Sequence, residues 1–193
     1  MGSTTRRPGP FGKVPASDRR PLLAKSIGAM VAVGSLMASL ERKMKATGGP
    51  GIVPLELAGD RGAVDAILSK WGPSGRSAAR ESLVLDQAWL VTYALSLAVS
   101  AAEAADAFEG RGWRSAASAG ASMGWGALAA GALDAVENAS LLAVVNGSGS
   151  TRLPRLAQRC AQVKFALVAA SLPYGLTGVA VGALDRRRSP VRL

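Results

Sequence analysis

Six consecutive residues, Leu133-Asp134-Ala135-Val136-Glu137-Asn138, set two carboxylates and an amide inside a long run of Ala, Gly, Leu and Val. Residues three and four apart on a helix are neighbours, so Asp134, Glu137 and Asn138 share one face. Ionisable groups in so apolar a setting are costly and usually mark function. An ammonium such as that of Lys164 would hold one carboxylate ionised, and crowding with Asp86 would leave another holding its proton. A carboxyl poised in that way can pass a proton, and three carboxylates together can hold a hard cation such as magnesium. Two further side chains belong with this set. Glu56 lies in a Pro54-Leu55-Glu56-Leu57 segment read as extended, from which it either points into the site or stands as a solvated loop acid. Tyr93 follows Asp86 by two turns on the same face, where it lines a cavity or packs between helices.

The elements that must position these groups are membrane-spanning by composition. The 193 residues are 49% hydrophobic and only 19% charged, too apolar a balance for an ordinary soluble domain of that size. Four uncharged runs, 26–40, 87–102, 115–133 and 165–184, are 15, 16, 19 and 20 residues long. A spanning helix needs about 20 residues, with about 17 as the usual lower bound, so the last two suffice alone. The first two suffice if flanking residues snorkel or the helix sits in a bundle. The 23 basic residues against 13 acidic ones lie at the chain ends and beside the apolar runs, without interleaved aromatics. That pattern fits flanks attracted to anionic lipid and argues against nucleic acid. A single cysteine, Cys160, and the lack of histidine exclude an internal disulfide framework and the usual zinc ligand sets. No motif specifies a cofactor.

Residues 1–21 combine four prolines with five Lys and Arg and read as a flexible basic tail, or as a transit segment. The membrane domain is expected over 22–185, followed by a basic tail at 186–193. Within it, a first span ends at Glu41-Arg42-Lys43-Met44-Lys45 before Gly48-Gly49-Pro50-Gly51. A short amphipathic helix at 61–71, suited to the bilayer surface or to capping the bundle, stops at Gly72-Pro73. Long helices follow at about 74–108, 113–145 and 154–184, joined by short turns that make them antiparallel neighbours. Residues equally distant from such a turn lie at similar height. Lys164 then comes level with residue 134, and Asp86 with the same layer. By the same construction Gly120-xxx-Gly124 and Gly178-xxx-Gly182 would meet as a close seam, with Pro173 between seam and layer. The opposing reading of the polar layer is interfacial: the uncharged runs of three helices end there, and its groups would face headgroups.

Leu55-Glu56-Leu57-Ala58-Gly59, the helix ending in Trp71, Leu85-Asp86 with Tyr93, Leu133 through Asn138, and Lys164-Phe165 together resemble a family of small, uncharacterised four-helix bacterial integral membrane proteins over 53–184. The resemblance implies a fold and a compartment and carries no activity. The expectation is an all-α four-helix transmembrane bundle with a short amphipathic helix between helices one and two, in a bacterial inner membrane or an organelle membrane. Dense basic clusters at Arg19-Arg20-Lys25 and Arg186-Arg187-Arg188 put both termini inside. The leading functional expectation is binding of a lipid or other apolar small molecule whose polar group meets Asp86, Tyr93, Asp134, Glu137, Asn138 and Lys164, with Glu56. Its alternatives are an enzyme on an isoprenoid or lipid substrate, using a carboxylate acid/base or carboxylate-bound magnesium, and a proton-coupled transporter subunit. The expected partners are membrane lipids, then a second copy or a membrane partner protein.

Overall fold

The computed structural model describes residues 9–188, with side chains to 185, and all of the regular structure in it is helical. Four long helices and one short one follow in order: α1 (Ala16–Ala46), α2 (Ile52–Glu56), α3 (Arg61–Gly110), α4 (Arg114–Val145) and α5 (Arg152–Arg188). This is the all-α, four-helix class expected from the apolar runs. All four long helices are long and apolar enough to cross a membrane. They differ in how much of the apolar window is covered: 56% and 50% of it is buried in α3 and α4, but only 6% in α1 and 22% in α5. Val31, Leu36 and Leu176 are therefore more than half exposed, a distribution at home against lipid tails and disfavoured against water.

Three local features depart from the expected layout. First, α1 begins at Ala16, inside the segment read as tail, because Arg19 finds acidic partners on α3 that repay its ordering. Residues 1–8 of that tail, residues 189–193, and the side chains of Arg186-Arg187-Arg188 lie outside the described set. Second, the Pro-Leu-Glu-Leu segment is not extended: Ile52–Glu56 closes one helical turn. Its first amide is satisfied from a distance, Ile52 N donating to Glu41 Oε2 at 2.9 Å. Gly59, at φ 70°, then turns the chain toward Asp60, whose Oδ1 accepts from Ala63 N at 2.9 Å as the N-cap of α3.

Third, Gly72-Pro73 breaks α3 without ending it. Gly72 takes φ 56°, ψ −163°, a conformation that a Cβ would strain, and Pro73 opens the following limb, where its missing N–H costs nothing. Residues 61–71 and 73–110 are thus two limbs of one element. The first limb is amphipathic, as expected: Val64, Leu68 and Trp71 are at most 3% exposed, while Asp65, Ala66, Ser69 and Lys70 on its other side are exposed.

Contacts divide the chain into two units, and each long helix contributes a segment to both. One unit comprises Gly28–Tyr93 and Ala130–Phe165. Its core joins Leu40, Met44, Leu55, Trp71, Leu83, Leu141 and Val144, and Trp71 Nε1 donates to Pro50 O at 2.6 Å. The other comprises, of the described residues, 9–27, Ala94–Ala129 and 166–188, so the start of α1 and the end of α5 fall in the same unit. Its core is aromatic and small: Phe108 stacks on Trp113 with ring centroids 5.7 Å apart and meets Tyr174 edge-on at 5.3 Å.

Gly120 of α4 and Gly175 and Gly178 of α5 lie in this second unit and have α3 as their nearest neighbour. A Cβ on Gly120 would sit 2.5 Å from Ala105 Cβ, one on Gly175 would sit 2.9 Å from Ser100 Oγ, and one on Gly178 would overlap Ala104. The reason is the run Ala98 to Ala105 on α3, whose alanines let two helices approach it at once.

A buried cluster of four carboxyls on one lysine

In the unit formed by Gly28–Tyr93 and Ala130–Phe165, the long apolar stem of Lys164 carries its ammonium off α5 into the core. Its Nζ lies 2.8 Å from Asp134 Oδ1, 2.9 Å from Glu137 Oε2 and 3.8 Å from Glu56 Oε2, and 4.9 Å from the Phe165 ring centroid. Asp134 and Glu137 come from α4 at the three-residue spacing that gives them one face. Glu56 comes from the last residue of α2. One turn along α4 from Asp134, Asn138 donates from Nδ2 to Asp86 Oδ2 on α3 at 2.9 Å. Glu56, Asp86, Asp134, Glu137, Asn138 and Lys164 are all at most 6% exposed. Tyr93, 8% exposed, faces the same cluster from α3 and lies beside Asp134.

All seven residues singled out in the sequence are therefore brought together, on four elements, and all point inward. None of these side chains is turned outward. Glu56 is not a solvated loop acid: the α2 turn, absent from the sequence reading, aims it at Lys164. The short turns after α3 and α4 set the heights, and these agree with counting residues outward from each turn.

The cluster carries more acid than base. Four carboxyls face one ammonium, and burial makes an uncompensated charge costly, so the set is stable only if protons are shared among the acids. Glu56 and Glu137 are within hydrogen-bond reach of one another. Glu56 belongs to the short α2 and not to a spanning helix. Burial pushes its carboxyl above the usual glutamate range, and the nearby Lys164 ammonium opposes that shift without cancelling it. A proton on Glu56 would bridge the two carboxyls. The Glu137–Lys164 contact at 2.9 Å is an ion pair without hydrogen-bond alignment. Tyr93 Oη lies within hydrogen-bond reach of Asp134 without good alignment, and Asn138 Oδ1 has no hydrogen-bond partner among the described residues.

Chemically the arrangement can hold and exchange protons, and it offers spare acceptors to a donor. Among the described residues no group of three or more Cys, Asp and Glu side chains is disposed to hold a metal ion. The point on which Glu56, Asp134 and Glu137 converge is occupied by the lysine ammonium. Cys160 is buried near these groups and has no histidine to activate it.

One charged cluster escaped the sequence reading. In the other unit Arg19, 3% exposed, pairs through Nε with Glu103 at 2.9 Å and through Nη2 with Asp106. The available signal was the three-residue spacing of Glu103 and Asp106 in an alanine-rich run, which puts both acids on one face. No family model, no curated protein and no solved structure matches the chain. The resemblance to small four-helix membrane proteins rests on the quoted motifs alone.

Proposed function

We propose that this chain is a multi-pass membrane protein, of the bacterial inner membrane or an organelle membrane, that binds an apolar molecule of the bilayer through a head group rich in hydrogen-bond donors. The observation that carries this reading is the imbalance of the buried cluster: one ammonium, four carboxyls, and an unpartnered Asn138 Oδ1. An amine or hydroxyl head offers donors to Asn138 Oδ1 and the carboxyls and accepts from Tyr93 Oη, whereas an anionic head would add to an excess of negative groups. Native mass spectrometry of gently extracted protein tests it, comparing wild type with Tyr93→Phe. The variant removes one hydroxyl beside Asp134 and keeps the ring, so it should stay folded and lose a co-purifying amine- or hydroxyl-bearing amphiphile. An identical complement of bound molecules in both would count against the reading.

The surplus of carboxyls supports a second reading, in which protons pass through the cluster and the chain acts as a transporter subunit. Proton flux in reconstituted vesicles, lost in Glu137→Gln, would favour it over binding alone.

A further inference from the structure

Arg152, Arg155 and Arg159 follow one another at spacings of three and four in the opening turns of α5, so their side chains share one face of that helix, and all three are exposed. None of these side chains has a hydrogen-bond or ion-pair partner among the described residues. Elsewhere in the same unit Lys45 pairs with Glu41 at 3.0 Å, Arg61 pairs with Asp65 at 2.9 Å, and Arg80 donates to Asn146 Oδ1. Nothing within the chain offsets the arginine face. Like charges three and four apart on a helix repel, α5 has no acid in its first turn, and the sequence carries no Asp or Glu from Arg152 to Phe165. Three guanidinium groups, each a planar fork matched to phosphate oxygens, are therefore left to an anion from outside the chain.

The same face continues as apolar surface. Leu156, 44% exposed, and Val163, 51% exposed, fall with the three arginines in a sector of about 100° around the helix. Lys164 is turned away from that sector, into the core. The uncharged run 165–184 begins about 9 Å beyond Arg159 along the helix axis. The cations thus stand at the edge of a span, where phosphates of a bilayer lie, with Val163 on the side of the hydrocarbon. Charge then selects the head. A zwitterionic head brings an ammonium toward three cations with no acid paired to them, whereas a head with net negative charge brings none.

We propose that this face of α5 binds an anionic phospholipid of the bilayer, with its phosphodiester oxygens on Arg152, Arg155 and Arg159 and the start of an acyl chain on Leu156 and Val163. The site is separate from the lysine cluster, and it does not depend on what that cluster binds.

Native mass spectrometry of the full chain in mild detergent, titrated with phosphatidylglycerol, phosphatidylcholine or the chainless glycerophosphoglycerol, tests the proposal. The expected result is a first phosphatidylglycerol held at least about tenfold more tightly than phosphatidylcholine (about 1.4 kcal/mol), with the chainless head binding far more weakly than the lipid. The triple variant Arg152→Gln, Arg155→Gln, Arg159→Gln should bring the two affinities within about twofold of each other. Its unfolding temperature should not fall, because these side chains hold nothing else in the fold. Arg155→Gln alone, at the centre of the face, should lower the preference part-way. A second triple variant, Arg42→Gln, Lys43→Gln, Lys70→Gln, removes the same charge from other exposed positions of the unit and should keep the preference. Equal binding of the two phospholipids by the wild type, the result expected if the face serves an acidic protein instead, would overturn the proposal. So would a chainless head that binds as tightly as the lipid, or an equal loss of preference in the two triple variants.

Discussion

Lys164 Nζ and Asp134 Oδ1 stand 2.8 Å apart on two different helices, both side chains nearly inaccessible to solvent. Thirty residues separate them in the chain, and the turn after α4 folds them to one height. Around this pair the other three carboxyls, the amide and the phenol are arranged.

Replacing Lys164 by Met removes the only cation that the cluster holds while keeping most of its volume. Breaking a buried ion pair from one side costs about 3–5 kcal/mol. Thermal unfolding in detergent should show a loss of that order, larger at pH 8 than at pH 5, where the acids are more readily protonated. A loss below about 0.5 kcal/mol would mean that the pair is not buried in the folded protein.

Glu56 makes stability depend on pH in an unusual direction. Its carboxyl is raised on folding, so the native state holds the proton more tightly than the unfolded chain does. The contribution is fully present below about pH 4.3, the ordinary glutamate value, and is lost as pH rises through the native value, by at most about 1.4 kcal/mol per pH unit. Glu56→Gln keeps the shape and cannot ionise, so its unfolding temperature should fall less steeply from pH 5 to pH 9 than that of the wild type. Parallel curves for the two proteins would contradict this.

Two glycine substitutions should part company. A Cβ on Gly178 would overlap Ala104, so Gly178→Ala should destabilise by about 1–3 kcal/mol through overpacking. Gly28, within α1, has nothing within 4 Å of its would-be Cβ, and Gly28→Ala should be neutral or stabilise by up to about 1 kcal/mol through helix propensity. Chemical unfolding of both variants in the same detergent reads the difference.

At Gly72 the break in α3 depends on a left-handed backbone. Gly72→Ala meets no steric neighbour, yet it should cost about 1–2 kcal/mol because φ 56° strains any side chain. Mobility should rise in the limb 61–71, seen as faster amide exchange of Val64 and Leu68 in the variant.

The sequence made the long helices and the depth of the polar layer legible, because both follow from apolar run lengths and the fixed rise of a helix. Lys164, Asp134, Asn138 and Asp86 could be matched by counting from turns. The α2 turn was not legible: Val53-Pro54-Leu55 carries no helical period, and what closes the turn is Glu41, eleven residues before Ile52, accepting its amide. Equal height does not say which face a glycine presents: Gly120 lies against Ala105 of α3 as well as Tyr174 of α5, and Gly178 lies against Ala104 of α3. Arg19 sat in a proline-rich stretch whose composition resembles a tail, and only its long-range partners Glu103 and Asp106 draw it into a helix.

The central claim is that four buried carboxyls crowd one ammonium and balance only by sharing protons, with the carboxyl of Glu56 raised by burial. Infrared spectroscopy of the protein in lipid at neutral pH, in water and in deuterium oxide, observes the carbonyl stretch of a protonated carboxyl directly. A deuterium-sensitive band that is present in the wild type and reduced in Glu56→Gln is the predicted result. The absence of any such band, or an unchanged band in Glu56→Gln, would contradict the account.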